Sequence, residues 1–293
     1  MCGISGIFSF SKSIEENRVH RMNESVAHRG PDGEGMWKNE EGNLLLGHRR
    51  LSIIDLLPEG AQPMHYIDRY VIVYNGEIYN YIELKATLEK KGYIFKTVSD
   101  TEVLLAAYAA YGENMFEHLD GMFAFAIWDK KEKNLFCARD RFGEKPFYYH
   151  HDKNAFIFCS EIKGLFAAGI EINFDSEMIF NFLAYDIQEN PLNKEQTFYT
   201  AIKKIEAAHY LIIKADGSII HKKYWSLNKP YGELKISHTD AFEKFRELFL
   251  TSVKRRLRSD VPVGISLSGG LDSSTITTCI NYLNSDNKIP VHT

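Results

Sequence analysis

The residue with the most chemical potential lies directly behind the initiator methionine, in Met1-Cys2-Gly3-Ile4. Methionine is normally trimmed when the next residue is small, which leaves a thiol and a free α-amine on Cys2. An α-amine titrates at about 7.7–8.0, so it can take the thiol proton near neutral pH and return it to a leaving amine. A lone cysteine is otherwise an inert surface or buried thiol, so this reading needs partners. Asn75-Gly76 follows the β-rich run Tyr70–Tyr74 and offers a side-chain amide beside a backbone N–H, as an oxyanion hole requires. The same dipeptide between two β-like runs is also the strongest short hairpin signal. Arg50, in His48-Arg49-Arg50-Leu51-Ser52, is either a solvated charge or a fork for an α-carboxylate. Asp100 precedes a helix predicted from Thr101; it either caps that helix or, with Glu77, balances a substrate α-ammonium.

A second constellation is Ser268-Gly269-Gly270-Leu271-Asp272-Ser273-Ser274, between an apolar run and a predicted helix. Backbone N–H groups and a helix dipole hold anions there, with serine hydroxyls as further donors. The loop lacks the Gly-Lys-Ser/Thr ending of a Walker A sequence. Its alternative is a polar turn with a helix cap.

The elements that position these residues fall into two textures. Gly3–Phe10, Asn43–Gly47, Met122–Trp128, Asn134–Arg139, Phe147–His150, Ala155–Ser160, His209–Lys214 and Ile219–Trp225 read as strands separated by turn residues, the pattern of antiparallel sheets. Glu83–Lys91 and Thr101–Tyr111 read as helices that stop at Gly92 and Gly112. Residues 2–225 are therefore expected to form an α+β domain of sheets covered by helices. A linker is expected over 226–236, centred on Asn228–Gly232. Ser237 then caps a helix whose apolar face carries Phe242, Phe245, Leu248, Phe249, Val253 and Leu257. A buried strand over Val261–Leu267, a helix from Ser274 to Asn284 and a strand beginning at Pro290 complete the start of a parallel α/β sheet, expected to be cut short.

With 293 residues, 44% hydrophobic and 25% charged, the chain has an ordinary globular composition. A formal net charge of −4 excludes a basic footprint for nucleic acid. The apolar runs are too short to span a bilayer, which needs about 20 residues, and the start lacks the charged-then-apolar pattern of a signal peptide. The four cysteines show no metal-ligand spacing, and Cys137, Cys159 and Cys279 read as buried thiols. A cytoplasmic protein is expected.

Five strings occur in order: Met1–Phe8, His28-Arg29-Gly30-Pro31-Asp32-Gly33, Gly47–Asp55, Asn75-Gly76-Glu77-Ile78-Tyr79-Asn80 and Arg139-Asp140-Arg141-Phe142-Gly143. Together they resemble the class II glutamine amidotransferases, and within them the glutamine-hydrolysing asparagine synthetases. The resemblance implies a four-layer αββα N-terminal-nucleophile hydrolase, followed by the beginning of an α/β ATP-pyrophosphatase domain over 237–293. Cys2 matches the nucleophile, and Asn75 and Gly76 match the oxyanion hole. Arg50, Glu77, Asp100 and the stretch Leu51, Ser52, Ile53 and Ile54 match glutamine-binding positions; Arg29 and Asp32 carry no assigned role. Ser268, Gly269, Gly270, Leu271, Asp272, Ser273 and Ser274 match a pyrophosphate loop, Leu267 a nucleotide contact, and Asp272 lies near a Mg²⁺ ion. The implied substrates are glutamine, aspartate and ATP, with Mg²⁺ and no prosthetic group; a homodimer is compatible. A related amidotransferase with another carboxylate acceptor, such as a sugar acid, and a non-catalytic glutamine-binding module are the alternatives. The chain as it stands is expected to release ammonia from glutamine without forming AMP.

Overall fold

The computed structural model describes residues 1–11, 13–227, 236–284 and 291–292. Positions 228–235 of the expected linker lie outside them. The chain divides into two compact units: Met1–Ser52 with Leu57–Ser226, and Ile53–Leu56 with Leu227–Thr293.

In chain order the first unit contains β1 (Gly3–Ser9), α1 (Glu16–Ser25), β2 (Gly33–Lys38), β3 (Leu44–Arg50), β4 (Met64–Tyr66) and β5 (Tyr70–Ile78). There follow α2 (Tyr81–Glu89), α3 (Asp100–Tyr111), β6 (Gly121–Asp129), β7 (Asn134–Arg139), β8 (Tyr148–His151) and β9 (Ala155–Cys159). The unit ends with α4 (Ile162–Ala167), α5 (Ser176–Tyr185), β10 (Lys203–Lys204), β11 (His209–Lys214) and β12 (Ile219–Lys223). Two six-stranded antiparallel sheets result, ordered β10-β8-β9-β1-β3-β2 and β12-β11-β7-β6-β5-β4.

Alternation along the strands builds the layers. Ile4 and Phe8 of β1 share one cluster with Val71, Val73, Ala124 and Ala126 of the other sheet, so these side chains fill the space between the sheets. On the far side of β5, Ile72 and Tyr74 pack with Val103, Leu104 and Ala107 of α3. On the far side of β1, Ile7 packs with Val19 and Met22 of α1 and Leu165 of α4. The order is helix, sheet, sheet, helix: the expected α+β αββα stack. Near-complete burial of Phe8, Phe125, Phe136 and Phe158 stabilises it by roughly 1.5–3 kcal/mol per side chain, measured against leaving each exposed.

One local expectation fails with consequence. The β-run at Tyr70 does not end at Asn75-Gly76. β5 continues to Ile78 and pairs without interruption, Tyr70 opposite Asp129 through Ile78 opposite Gly121. Cross-strand pairing and burial override the local hairpin signal.

The second unit holds α6 (His238–Arg256), β13 (Val263–Gly264), α7 (Leu271–Leu283) and β14 (Val291–His292). Ser237 caps α6 by accepting from the Asp240 N–H at 3.0 Å. The buried strand expected over Val261–Leu267 is reduced to Val263–Gly264, paired in parallel with β14, and Leu267 is exposed. A strand with one short neighbour has little ladder to extend along. α7 begins at Leu271, not Ser274, so Asp272, Ser273 and Ser274 form its first turn. Cys137 and Cys159 are buried as expected, whereas Cys279 is only partly so.

Candidate active site

Cys2 immediately precedes β1, and the chain after β3 meets its sulfur. The Leu51 N–H donates to Cys2 Sγ at 3.4 Å, and the thiol faces the Leu51 carbonyl at 3.6 Å. Burial raises the thiol pKa, opposed by the Leu51 N–H, the terminal amine and Arg50. The resting sulfur is therefore a thiol that needs a base to ionise. The terminal amine, that of Met1 in the unprocessed chain, is lowered below its ordinary value, first by burial and then by Arg29 and Lys145, although the Cys2 charge acts against this. Burial at this place disfavours the charged form of an α-amine, the direction that favours accepting a proton.

Arg29 fixes this end of the chain. Its Nε donates to the Cys2 carbonyl at 2.9 Å while its Nη1 meets Glu161 Oε1 at 2.9 Å. Burial opposes ionisation of Glu161, but hydrogen bonds from Arg29, Lys163 and His28 outweigh it and lower its pKa to about 2. Gly30 allows the approach, since a Cβ there would lie 2.3 Å from the Arg49 carbonyl carbon. Asp32 accepts from the Ser52 N–H at 2.8 Å, tying the same loop to the residues that follow β3.

On β5, Asn75 is 1% exposed, and its buried Nδ2 has no hydrogen-bond partner among the described residues. An unpaired buried amide costs about 1–3 kcal/mol, so a group in this state calls for an explanation. The neighbouring N–H groups reveal its setting. Phe123, opposite Gly76, spends both its N–H and its carbonyl on Asp140, so Gly76 is not hydrogen-bonded to it and its N–H faces away from β6. The Tyr74 and Ile78 N–H groups point the same way and are taken by Gln62 and Asp100 at 2.7 and 2.9 Å. Gly76 lies between them, beyond the end of β4, whose pairing stops at Ile72. A Cβ on Gly76 would meet the Met122 carbonyl oxygen at 2.3 Å, so no other residue fits without moving β6.

Asp100 does not cap α3. Ser99 does, accepting from the Thr101 N–H, which leaves the Asp100 carboxylate to accept from the Tyr74 hydroxyl at 2.9 Å as well as from Ile78. Burial raises its pKa to about 6 despite these bonds. Glu77 is raised to about 7 by burial and then by the Asp100 charge, with Lys145 acting against them. Two buried carboxylates, one of them raised by the charge of the other, suit a cation as a neighbour. The Cys2 charge also acts on the Tyr74 phenol, so the sulfur, this acidic pair and the strand that carries Asn75 share one neighbourhood. His48, buried and lowered to about 4 by desolvation, is neutral; its Nε2 donates to the Tyr74 carbonyl at 3.1 Å. Arg50 donates to the Leu57 carbonyl at 2.9 Å and is near enough for its charge to act on Cys2.

Folding thus gathers Cys2, Arg50, Leu51, Ser52, Asn75, Gly76, Glu77 and Asp100 in the first unit. Ile53 and Ile54 belong to the second, where the Ile53 carbonyl accepts from the Asp260 N–H at 2.9 Å and the Asp55 N–H donates to the Asp260 carboxylate at 2.7 Å. Sequence reasoning missed Glu161, His48 and Lys145. Arg139-Asp140-Arg141-Phe142-Gly143 proves to be a scaffold: Asp140 accepts from the N–H groups of Phe123, Phe142, Glu144 and Lys145. That loop brings Lys145 within electrostatic reach of Glu77 and the terminal amine.

In the second unit, Gly269 has φ +79°, a conformation that favours glycine, and Gly270 is the N-cap of α7. Ser268 and Ser273 hydroxyls meet at 3.0 Å across the loop. Asp272 places a carboxylate in the first helical turn, beside unpaired helical N–H groups of the kind that hold phosphates. A hard carboxylate oxygen such as that of Asp272 is the ligand type that Mg²⁺ takes when it is shared with phosphates.

The sequence profile described as a glutamine amidotransferase domain matches residues 1–225. The chain belongs to the glutamine amidotransferase family. A second profile, described as asparagine synthase, matches residues 244–293. Among relatives of this chain, asparagine synthetase [glutamine-hydrolyzing] 1 of Bacillus subtilis is 41% identical over 95% of the chain and 43% of that protein. A putative asparagine synthetase [glutamine-hydrolyzing] 2 of Methanocaldococcus jannaschii is 41% identical over 94% of the chain and 56% of that protein. Amidase chry2 of Gibberella zeae is 35% identical over 97% and 43%, respectively. The chain spans about half the length of the curated relatives it matches. Among solved structures, glutamine phosphoribosylpyrophosphate amidotransferase from B. subtilis superimposes with a TM-score of 0.58 at 21% identity, covering 99% of this chain and 65% of that one. That likeness supports the N-terminal-nucleophile fold. Among the described residues no helix is long and apolar enough to cross a membrane.

Proposed function

We propose that the first unit is the glutaminase of a glutamine-dependent asparagine synthetase and that Cys2 is its nucleophile. The observation that carries this reading is a Leu51-backed thiol at Cys2 together with the buried Asn75 amide on β5, which has no partner among the described residues and precedes the Gly76 N–H that faces away from β6. Glutamine binds with its α-carboxylate toward Arg50 and its α-ammonium toward Glu77 and Asp100. After methionine removal the Cys2 amine takes the thiol proton, and the thiolate attacks the side-chain carbonyl. Asn75 Nδ2 and the Gly76 N–H stabilise the oxyanion. The amine returns the proton to the departing nitrogen, ammonia leaves, and water hydrolyses the thioester to glutamate.

The second unit supplies part of the ATP site. Loop 268–274, with Leu267 nearby, holds the pyrophosphate portion of ATP, and Asp272 bears on the Mg²⁺ that accompanies it. ATP activates the side-chain carboxylate of aspartate as an acyl-adenylate, and the ammonia displaces AMP. The supports are the asparagine synthase profile over 244–293 and the relatives named for asparagine synthesis. Four free cysteines fit a reducing cytoplasm. Ammonia release from glutamine, lost on Cys2→Ala, tests the first half. Aspartate-dependent AMP formation by the polypeptide carrying this chain tests the second, and AMP formation with another carboxylate but not aspartate overturns the choice of acceptor.

A further inference from the structure

At the β11–β12 edge of the first unit, away from Cys2, a second group of residues converges with no part in glutamine hydrolysis. His209 opens β11, and His221 on β12 sits opposite Leu211. The histidines are thus diagonal cross-strand neighbours on one sheet face, with ring centroids 4.9 Å apart. Glu206 joins them through the turn before β11, where the His209 N–H donates to the Glu206 carbonyl at 3.3 Å. One ligand atom from each of Glu206, His209 and His221 lies within 4.8 Å of the others.

Both imidazoles are oriented by an outer acceptor. His209 Nδ1 lies 2.8 Å from the Ala207 carbonyl, and a carbonyl only accepts, so Nδ1 carries the hydrogen and a neutral ring keeps its Nε2 lone pair. His221 Nδ1 lies 3.2 Å from Glu195 Oε1, which fixes the same tautomer. Histidine ligands of metal ions are typically held this way, one nitrogen donating to a carbonyl or carboxylate and the other free to coordinate. The other Glu195 oxygen pairs with Lys203 Nζ at 3.2 Å, which keeps that carboxylate out of the inner set. The site borders a cavity of about 380 Å³ lined by His150, His151, Glu195 and His221, so water can reach it.

We propose that Glu206, His209 and His221 bind a divalent transition-metal ion, with Zn²⁺ as the best match, leaving a fourth position to water. Two imidazoles and one carboxylate form a three-ligand set with an open position suited to zinc and poorly suited to Mg²⁺ or Ca²⁺. A bound ion would pin the β11–β12 hairpin to the turn that precedes it, raising the thermal stability of the first unit.

The test is Zn²⁺ titration by calorimetry, with Co²⁺ absorption as the geometric readout, on the 293-residue protein carrying Cys2→Ser so that the nucleophile cannot supply a ligand. One equivalent should bind with Kd below about 10 µM, and Co²⁺ should give the visible bands of a four-coordinate site. His209→Ala and His221→Ala should each weaken binding at least about 100-fold, and the conservative Glu195→Gln about 10- to 100-fold. With Cys2 intact, His209→Ala should keep its glutaminase rate, which shows that the fold survives. Kd weaker than about 10 µM, or binding unchanged in either His209→Ala or His221→Ala, overturns the proposal.

Discussion

Replacing Asn75 by alanine separates a catalytic amide from a structural one, because the two roles move stability and rate in different combinations. Asn75 is fully buried and its Nδ2 has no partner among the described residues, so the folded enzyme carries a desolvation cost of about 1–3 kcal/mol there. Alanine relieves that cost while leaving a small cavity whose cost is of the same order. The net change in stability should stay within about 1 kcal/mol, or about 2–4 °C in Tm for a unit of this size. The rate should behave otherwise. Loss of one oxyanion donor removes about 2.7–4 kcal/mol of transition-state stabilisation, or about 10²–10³ in kcat. KM should change far less, because the oxyanion exists only after attack. Steady-state glutamate release, run beside thermal unfolding of the same preparation, reads both quantities. A kcat within about tenfold of the parent refutes the oxyanion role. So does a rate loss matched by a large fall in Tm, which would make Asn75 a packing residue of β5.

Arg50→Ala should raise the KM for glutamine well above its effect on kcat, since the α-carboxylate is charged from binding through release; equal losses in both would contradict a binding role. Burial and the Asp100 charge raise Glu77 to about 7, and an α-ammonium favours the ionised carboxylate. Glutamine binding should therefore be full above pH 7 and weaken as pH falls through it, and a KM profile that Glu77→Gln leaves unchanged would rule this out. Arg29→Gln frees the Cys2 carbonyl and leaves Glu161 without its buried partner. It should lower kcat and cost about 1–3 kcal/mol of stability, measured by thermal unfolding and ammonia release; a variant with parental Tm and kcat would show that Arg29 does not position the nucleophile.

The chemistry-bearing residues were legible because each is a distinctive type at a distinctive place: a second-position cysteine, an Asn-Gly pair, a carboxylate at a helix start. Their surroundings were less so. The sheet runs straight through Asn75-Gly76 because nine consecutive pairings with β6 outweigh a two-residue turn preference. β2 was invisible because Gly33 and Gly35 depress its strand signal, yet Gly35 is required where a Cβ would lie 2.0 Å from the Gln62 carbonyl oxygen. Asp100 lost its capping role to Ser99, a neighbour able to serve equally well. Glu161 lies 132 residues from Arg29, and Lys145 reaches Glu77 only through the Asp140 scaffold, so neither had a local signature. The metal-ligand trio was equally hidden, because only the β11–β12 register sets His221 beside His209.

The central claim is that Cys2, as the first residue of the processed chain, attacks the glutamine side-chain carbonyl. Treating the enzyme with a reactive diazoketone analogue of glutamine, followed by intact-mass measurement and peptide mapping, tests it most directly. The account predicts a single adduct on the Cys2 sulfur, protection by excess glutamine, and the absence of Met1 from the labelled, active population. Labelling at Cys137, Cys159 or Cys279 instead, or full glutaminase activity in protein that retains Met1, would contradict it.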